Sequence, residues 1–220
     1  MLYLYKRDGA FIYVEYDLNK GPDIERKGLK FGCMEGRFRH WCWQRKLRGV
    51  LRRNTVRRDP VGFARAFTIG IYYRYRTESE YESLCAFAKR LSTMNKRVRL
   101  FVYAEEKETL NLKSSGFSLA VVGRKDFDRC WFPHREMDLA VDEFLDTEYD
   151  LLLDFSPDFH YVDVSVMASC RARMKVGKYG DWNVKVNDLC LLPDGSEDNY
   201  VRGFIKVLEL YLPLFDGNRD

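Results

Sequence analysis

Short strand-like segments recur from Phe67 to the C-terminal end, and they constrain the fold of this chain more than any other feature. Each is a run of β-branched, aromatic or leucine residues, and they occur at 67–73 (FTIGIYY), 97–104 (RVRLFVYA), 117–123 (FSLAVVG), 149–155 (YDLLLDF), 173–177 (RMKVG) and 187–193 (NDLCLLP). Runs with apolar residues at consecutive positions are typical of strands buried on both faces. A further strand is predicted at 127–132.

Helical segments separate most of these strands. Thr77 and Glu80 have the spacing of a capping box, and apolar residues follow at helical intervals from Tyr81 to Leu91. Further helices are predicted at 106–113, 137–145, 161–170 and 197–212. Strands that alternate with helices form βαβ units, whose strands lie parallel in one sheet. We therefore predict an α/β fold with a single doubly wound, mainly parallel sheet.

The N-terminal residues lie outside this alternation. Residues 1–18 alternate in polarity around Asp8-Gly9, which favours a β-hairpin with a tight turn, and Gly21-Pro22 ends it. Because Met34 stands directly before the next element, the alternative is a dispensable extension or the product of an upstream start codon. The predicted organisation is therefore an N-terminal extension at 1–33, a helix at 34–60 and an α/β domain at 61–220.

Residues 34–60 are predicted to form a basic amphipathic helix that ends at Asp59-Pro60. Between Gly36 and Arg58 there is no acidic residue, and nine positions are basic: Arg37, Arg39, Arg45, Lys46, Arg48, Arg52, Arg53, Arg57 and Arg58. The net charge of +4 therefore divides into +9 for this segment and −5 for the remainder of the chain. One helical face carries the apolar residues Trp43, Leu47, Val50 and Leu51.

A helix of this charge attracts phosphate-rich partners, and that attraction weakens as salt rises. Phe38, Trp41 and Trp43 suit two such partners, since aromatic side chains stack on RNA bases and also lie at membrane interfaces. The alternative is intramolecular docking, in which the helix packs its apolar stripe on the acidic remainder of the chain. The nine basic residues are therefore candidates for polyanion binding through helix 36–58, with RNA, an anionic membrane surface and self-docking all open.

Composition and motifs argue against several other classes of protein. The six cysteines are scattered without C-x-x-C spacing and there are three histidines, so neither a disulfide framework nor a metal site is predicted. No segment has the apolar length of a secretory signal or a membrane span, which predicts a cytoplasmic protein, with peripheral membrane association as a variant. Neither a G-x-G-x-x-G nor a P-loop motif occurs, and no cofactor is predicted.

Polar residues follow the predicted strands at the edge where open parallel sheets bind ligands. Near Thr77, free N–H groups of a helix start and a neighbouring arginine would suit an anion. Asp154 ends a buried strand, where a carboxylate either acts on a ligand or accepts hydrogen bonds from the next loop. Since no Cys–His or Ser–His constellation accompanies it, the structural role is favoured and no catalytic residue is predicted. The candidate ligand site comprises Arg74, Arg76, Thr77, Asp154, Ser156 and Lys178.

The order of FTIGIYY, YDLLLDFSPDFHYVDVSVMASCRARMKVGKYG and NDLCLLP resembles a bacterial family of unknown function, over about Met34 to Leu212. Its most specific part is a strand ending in Asp-[Phe/Leu]-Ser, then a helix and Lys-Val-Gly. This resemblance implies a Rossmann-like or flavodoxin-like core preceded by a basic helix. A fainter resemblance, through YDLLLD and Lys-Val-Gly, is to the N-terminal half of heptosyltransferase-type glycosyltransferases. The Gly-Asp loop of those enzymes is replaced here by RYRTESE, and their second, nucleotide-sugar-binding domain is not expected.

Two functions of different classes follow from these observations. The favoured one is a non-enzymatic binding or interaction module that uses the cationic N-terminal helix. The alternative is a small ligand-binding protein or transferase-like enzyme with its site at the carboxyl ends of the sheet strands. The packing of helix 36–58 and the convergence of Arg74, Thr77, Asp154 and Ser156 distinguish the two functions.

Overall fold

The computed structural model describes residues 2–7, 10–15, 34–54, 60–106, 112, 116–135, 139–193 and 198–216. Its first element is the hairpin expected at the N-terminus, in which β1 (Leu2–Arg7) pairs antiparallel with β2 (Ala10–Glu15). The turn expected at Asp8-Gly9 lies outside the described residues.

Six parallel strands form the central sheet: β3 (Thr68–Arg74), β4 (Arg97–Tyr103), β5 (Ser118–Val122), β6 (Glu148–Asp154), β7 (Arg171–Lys178) and β8 (Leu189–Leu191). Their order across the sheet is β5-β4-β3-β6-β7-β8. Counted from β3 as the first strand, this is the Rossmann order 3-2-1-4-5-6 and not the flavodoxin order. The predicted α/β fold with a single parallel sheet is confirmed, and the order reverses between β3 and β6. The N-terminal hairpin lies beside this sheet, with Cα atoms of β1 within 8 Å of β8.

Helices cover both faces of the sheet. The described helices are α1 (Met34–Arg53), α2 (Glu78–Thr93), α3 (Leu139–Asp146), α4 (Tyr161–Ser169) and α5 (Tyr200–Tyr211). α2 and α5 cover one face, and the other three helices cover the opposite face. Successive strand residues point to opposite faces. Ile71 therefore packs in the core under α2 and α5, and Tyr72 packs in the core on the opposite face. This two-sided burial explains why the strand segments are continuous apolar runs.

The start of α2 is fixed by the predicted capping residue. Thr77 Oγ1 accepts a hydrogen bond from the N–H of Glu80 at 3.2 Å. The carboxylate of Glu80 accepts from the hydroxyl of Tyr73 at 3.0 Å. These two contacts hold the end of β3 and the first turn of α2 together, next to the point where the strand order reverses.

The prediction of a strand at 127–132 is wrong. A 3₁₀ turn at Arg124–Asp126 leads into a loop, where Asp128 Oδ1 accepts the N–H groups of Cys130 and Phe132 at 2.8 and 3.0 Å. A side chain that satisfies backbone donors in this way competes with the hydrogen bonds of a sheet ladder. The segment is therefore apolar because it packs on the core, and not because it pairs with a strand.

α1 is shorter than the segment 34–60 that was predicted as helical. The helix ends at Arg53, and Asn54 lies at the C-terminal end of α4. The side-chain Nδ2 of Asn54 donates to the carbonyl oxygens of Ala168 and Ser169, both at 2.9 Å. We attribute the early end of α1 to these contacts, because they hold Asn54 on another helix. Residues 55–59 and most of the helix predicted at 106–113 lie outside the described residues.

Lys175, in the middle of β7, links the sheet to the end of α4. Its Nζ donates to the carbonyl oxygens of Met167 and Cys170 at 2.6 and 2.8 Å. Replacing Lys175 with methionine, which keeps an unbranched side chain, is expected to destabilise the protein by about 1–3 kcal/mol, since two buried acceptors lose their donor. Denaturant unfolding measures this loss. The control is Lys89→Met on the exposed side of α2, and equal stability of the two variants would contradict this role of Lys175.

Candidate functional site

α1 lies along α4 and buries its apolar stripe there. Trp43 is 0% exposed, and its Nε1 donates to Ser165 Oγ at 2.8 Å. The Trp43 ring makes an edge contact with Tyr161, with 4.9 Å between the centroids. Leu47 and Val50 are buried on the same side of the helix. α1 therefore contributes side chains to one of the two cores of the α/β domain.

The opposite side of α1 is exposed and carries most of its charge. Phe38 and Trp41 are 65% and 52% exposed, and their rings stack with 6.0 Å between centroids. The guanidinium of Arg45 lies 5.6 Å from the centroid of the Trp41 ring. Residues three and four positions apart on a helix are neighbours, so the two rings lie in line with a row of arginines further along α1. We call this side the cationic face, which comprises Phe38, Arg39, Trp41, Arg45, Lys46, Arg48, Arg52 and Arg53.

The domain neutralises few of these charges within its described residues. Lys46 forms an ion pair with Asp128, and the Arg39 guanidinium lies 5.8 Å from the centroid of the Trp131 ring. No ion pair joins Arg45, Arg48 or Arg52 to any described residue. The side chain of Arg37 and the residues Arg57 and Arg58, which are also candidates for polyanion binding, lie outside the described part of the chain.

A second group of polar residues lies near the ends of β3, β6 and β7, in contact with the first turn of α4. The hydroxyl of Tyr72 donates to Asp163 Oδ1 at 2.7 Å, and Arg74 Nε lies 3.4 Å from Asp163 Oδ2. Asp154 Oδ1 accepts from the N–H of Ser156 at 2.9 Å. We call this group the buried polar cluster, which comprises Tyr72, Arg74, Asp154, Ser156, Asp163 and Asn187.

Gly177 allows Asn187 to reach this cluster. A Cβ atom on Gly177 would clash with the side-chain amide of Asn187 and would lie 3.1 Å from the Cβ of Asp154. The amide of Asn187 therefore lies against the backbone of β7 beside Asp154, and it is fully buried. Glycine is required at position 177 because this close approach leaves no room for a side chain.

Burial dominates the electrostatics of the cluster. It raises the pKa of Asp154 to about 6, although the N–H and the nearby hydroxyl of Ser156 and the charge of Arg74 act in the opposite direction. Burial also raises the pKa of Asp163 to about 8, and the negative charge of Asp154 contributes to this rise. Burial and the proximity of the two carboxyl groups therefore favour a state in which one of them keeps its proton. Burial and the charge of Asp163 raise the pKa of Tyr72, so its hydroxyl stays a neutral donor.

The loop 155–160 joins β6 to α4, and predicted site residues hold it from both sides. Arg74 Nη2 donates to the carboxylate of Asp158, and Lys178 Nζ donates to the carbonyl oxygen of Pro157. The structure thus brings Arg74, Asp154, Ser156 and Lys178 together around one loop.

The other two candidate ligand-site residues belong to the start of α2. Arg76 Nη1 lies 3.8 Å from the carboxylate of Glu80, one turn along this helix. Thr77 caps α2 with its hydroxyl. Both side chains therefore have local structural partners on the α2 side of the sheet edge.

The profile of one family, described as a family of unknown function (DUF6913), matches residues 39–215. The chain belongs to this family. The relationship to a family of unknown function that the sequence predicted is confirmed, and the matched region of this DUF6913 protein runs from the first turns of α1 past the end of α5. It includes the whole buried polar cluster and the cationic face from Arg39 onward. Among curated proteins, no match to the sequence is found.

Three cluster residues of this DUF6913 protein are not singled out by the sequence pattern. Asp163 carries the clearest signal, as the one acidic residue in YVDVSVMAS, the largely buried sequence of α4. Tyr72 belongs to an apolar strand pattern, and Asn187 belongs to a polar turn before β8. Neither pattern marks its residue as part of a site, because the pattern reports burial and not which distant residue lies nearby.

Three side-chain atoms of the cluster have neither a hydrogen bond nor an ion pair to any described residue: Ser156 Oγ, and Nδ2 and Oδ1 of Asn187. Arg74 Nε and Asp163 Oδ2 pair with each other at 3.4 Å. Ser156 lies near enough to the carboxyls of Asp154 and Asp163 to lower the pKa of both. Buried polar atoms are nearly always hydrogen-bonded, and each one left without a partner costs about 1–3 kcal/mol. The side-chain amide of Asn187, with neither atom hydrogen-bonded to a described residue, therefore departs from this rule.

None of the described helices combines the length and the apolar character that crossing a bilayer requires. Among the same residues, His, Cys, Asp and Glu side chains do not gather in groups of three or more that could hold a metal ion.

Proposed function

We propose that the protein is a nucleic-acid-binding module that holds single-stranded RNA on the cationic face of α1. One observation carries this function: α1 packs on the domain through its apolar stripe, and its arginines remain exposed. The packing fixes the helix, so the cations are presented on a rigid element. Binding to a polyanion then releases counterions without a large cost for ordering the helix.

The aromatic residues of the cationic face favour RNA among polyanions. Bases of a single strand stack on exposed rings, and arginines neutralise the phosphates next to them. Phe38 and Trp41 supply the rings, and Arg45, Arg48 and Arg52 continue the same stripe. At 1.5 Å of rise per residue, the stripe from Phe38 to Arg52 is about 21 Å long, enough to follow a short stretch of backbone.

An anionic membrane surface fits the same face less well. Amphipathic helices bind bilayers by inserting their apolar side, and the affinity rises with the apolar area buried there. In this protein Trp43, Leu47 and Val50 are already buried against the domain. The cationic face retains Phe38 and Trp41 for insertion, both at one end of the helix.

Fluorescence anisotropy with a labelled single-stranded RNA of mixed sequence tests this function. Affinity is expected to fall steeply with salt, and about five neutralised phosphates give a slope of about −3.5 for log K against log salt. Reversing three stripe residues together, as Arg45→Glu, Arg48→Glu and Arg52→Glu, is expected to abolish binding. The fold should stay intact in this variant, because the three side chains are exposed.

A matched control reverses three exposed cations outside α1, as Arg65→Glu, Lys89→Glu and Arg97→Glu, and changes the net charge equally. It is expected to keep most of the affinity, and an equal loss in both variants would reject the cationic face as the RNA site. Binding to anionic vesicles without binding to RNA, with a blue shift of tryptophan fluorescence, would assign the face to membranes. Absence of both at low salt, with the stripe variant destabilised, would assign the cations to the domain itself.

The buried polar cluster favours a second candidate function, a small-ligand-binding or transferase-like protein with its site beside β3 and β6. Ligands of open α/β sheets lie where the strand order reverses, and the cluster occupies that place. The fainter resemblance to heptosyltransferase-type glycosyltransferases agrees with a ligand there. Glycosyl transfer has less support than ligand binding, since RYRTESE replaces the Gly-Asp loop of those enzymes. The two candidate functions use different surfaces and do not exclude each other.

A further inference from the structure

We propose that the buried polar cluster binds a small, uncharged molecule rich in hydroxyl groups, such as a ribose or hexose ring. This inference rests on the second candidate function and is independent of RNA binding by α1. The cluster lies between β3 and β6, where the strand order reverses, at the carboxyl ends of the strands. Asp163 adds the N-terminal turn of α4 to the same place.

Unused hydrogen-bonding groups are the main observation in favour of a ligand. Ser156 and Asp163 are 1% exposed and Asn187 is 0% exposed, so bulk solvent does not reach their side chains. Within the described residues, both amide atoms of Asn187 have no hydrogen-bond partner. Ser156 Oγ lies beside the carboxyls of Asp154 and Asp163, and Asp163 Oδ2 pairs with Arg74 Nε. A fully buried amide without any hydrogen bond is rare in protein interiors, and a ligand that binds to it gives a physical reason for its presence.

The mixture of donors and acceptors indicates the class of ligand. Asn187 offers a donor and an acceptor, and Ser156 offers both from one oxygen. Asp163 Oδ2 is an acceptor when the carboxyl is ionised and can carry the proton when it is not. A hydroxyl group also donates and accepts at once, so the neighbouring hydroxyls of a sugar ring match this set.

Charge disfavours ionic ligands at the same position. The ionised carboxylate of this pair would repel an anion, and Arg74, whose Nε lies 3.4 Å from Asp163 Oδ2, would repel a cation. A buried charge without a partner is costly, so a neutral polar molecule fits this balance best.

The loop 155–160 provides a route to the cluster. The side chains of Asp158 and Arg74, which form an ion pair, are 71% and 20% exposed. Exposed ion pairs contribute little to stability, so this contact can break without unfolding the domain. Lys178 holds the other side of the loop through the carbonyl oxygen of Pro157. A ligand would enter where these two contacts release the loop.

Thermal unfolding of the full chain with millimolar D-ribose, D-glucose or adenosine tests the proposal. A ligand at about ten times its dissociation constant raises the ratio of folded to unfolded protein about elevenfold, which raises the melting temperature. At least one of these probes is expected to do so. 2′,3′-Dideoxyadenosine, inorganic phosphate and spermidine are expected to have no effect, because they lack the vicinal hydroxyls or carry charge.

Asn187→Leu is the decisive variant. Replacing an amide without partners by an apolar group of similar shape is expected to leave the melting temperature of the free protein unchanged or higher, and to remove the shift with the probe. Asn183→Leu is the matched control, because the buried Asn183 Nδ2 donates to Lys178 O at 3.0 Å, and this variant is expected to be less stable. Ser156→Ala is expected to weaken the shift and serves if Asn187→Leu does not fold.

Three results would overturn the proposal. No melting shift with ribose, glucose or adenosine would exclude the ligand class. An equal shift with 2′,3′-dideoxyadenosine would show that hydroxyl groups are not what is bound. A loss of stability in Asn187→Leu as large as in Asn183→Leu would give the amide a structural role. The triple reversal of Arg45, Arg48 and Arg52 is expected to keep the shift, which separates this site from RNA binding.

Discussion

Replacing Trp43 with alanine is expected to lower the free energy of unfolding by about 3–5 kcal/mol. The Trp43 ring is completely buried, and the ring of Trp182 also packs edge-on against it, with 4.9 Å between the centroids. The substitution leaves a large cavity and removes the donor of Ser165 Oγ. Denaturant unfolding followed by circular dichroism measures the loss. Such an effect would establish that the basic helix is part of the fold and not an appendage.

Trp41→Ala is the matched control for this prediction. The two tryptophans are two residues apart in α1, but Trp41 lies on the cationic face and is 52% exposed. Its replacement is expected to change stability by less than about 0.5 kcal/mol and to weaken RNA binding. A loss below about 1 kcal/mol in Trp43→Ala would contradict the packing of α1 on α4.

Stability is expected to fall by several kcal/mol between about pH 4 and pH 9 because of the carboxyl pair. Both groups have a folded pKa above their ordinary value of 3.8, at about 6 for Asp154 and about 8 for Asp163. The folded state therefore binds protons more tightly than the unfolded state. The stabilisation is fully present below pH 3.8 and is lost as the pH rises through 6 and 8. One pKa unit corresponds to about 1.4 kcal/mol, which sets the scale.

Asp163→Asn isolates this contribution from other titrating groups. Burial lowers the pKa of His40 and His160, which opposes the trend near pH 6.5. Asparagine at position 163 does not ionise and still offers an acceptor to the hydroxyl of Tyr72. The variant is expected to be more stable than the wild type above pH 8, and the difference should shrink toward pH 5. Parallel stability curves over this range would show that Asp163 titrates as an ordinary exposed carboxyl.

Much of the fold follows from local pattern in the sequence. The six sheet strands and the helices α2 to α5 lie where apolar periodicity and the Thr77 cap place them, because burial on one or two faces imposes its period directly on the chain. α1 ends early because Asn54 binds the end of α4, a contact with residues more than a hundred positions away. The loop at 127–132 differs because the carboxylate of Asp128 satisfies its backbone donors.

The candidate sites depend on the tertiary structure to a greater degree. The sequence determined that 34–53 is basic and has one apolar face, but only the packing of Trp43 on α4 decided that the domain buries this face and leaves the cations exposed. The sequence also placed Asp154 and Ser156 at the end of a strand. Their hydrogen bond fixes the start of the next loop. Tyr72 and Asp163 are 91 positions apart, and β3 and α4 bring them within 2.7 Å. Periodicity records how each segment is buried, whereas contacts between distant segments arise from strand order and packing, which no local pattern encodes.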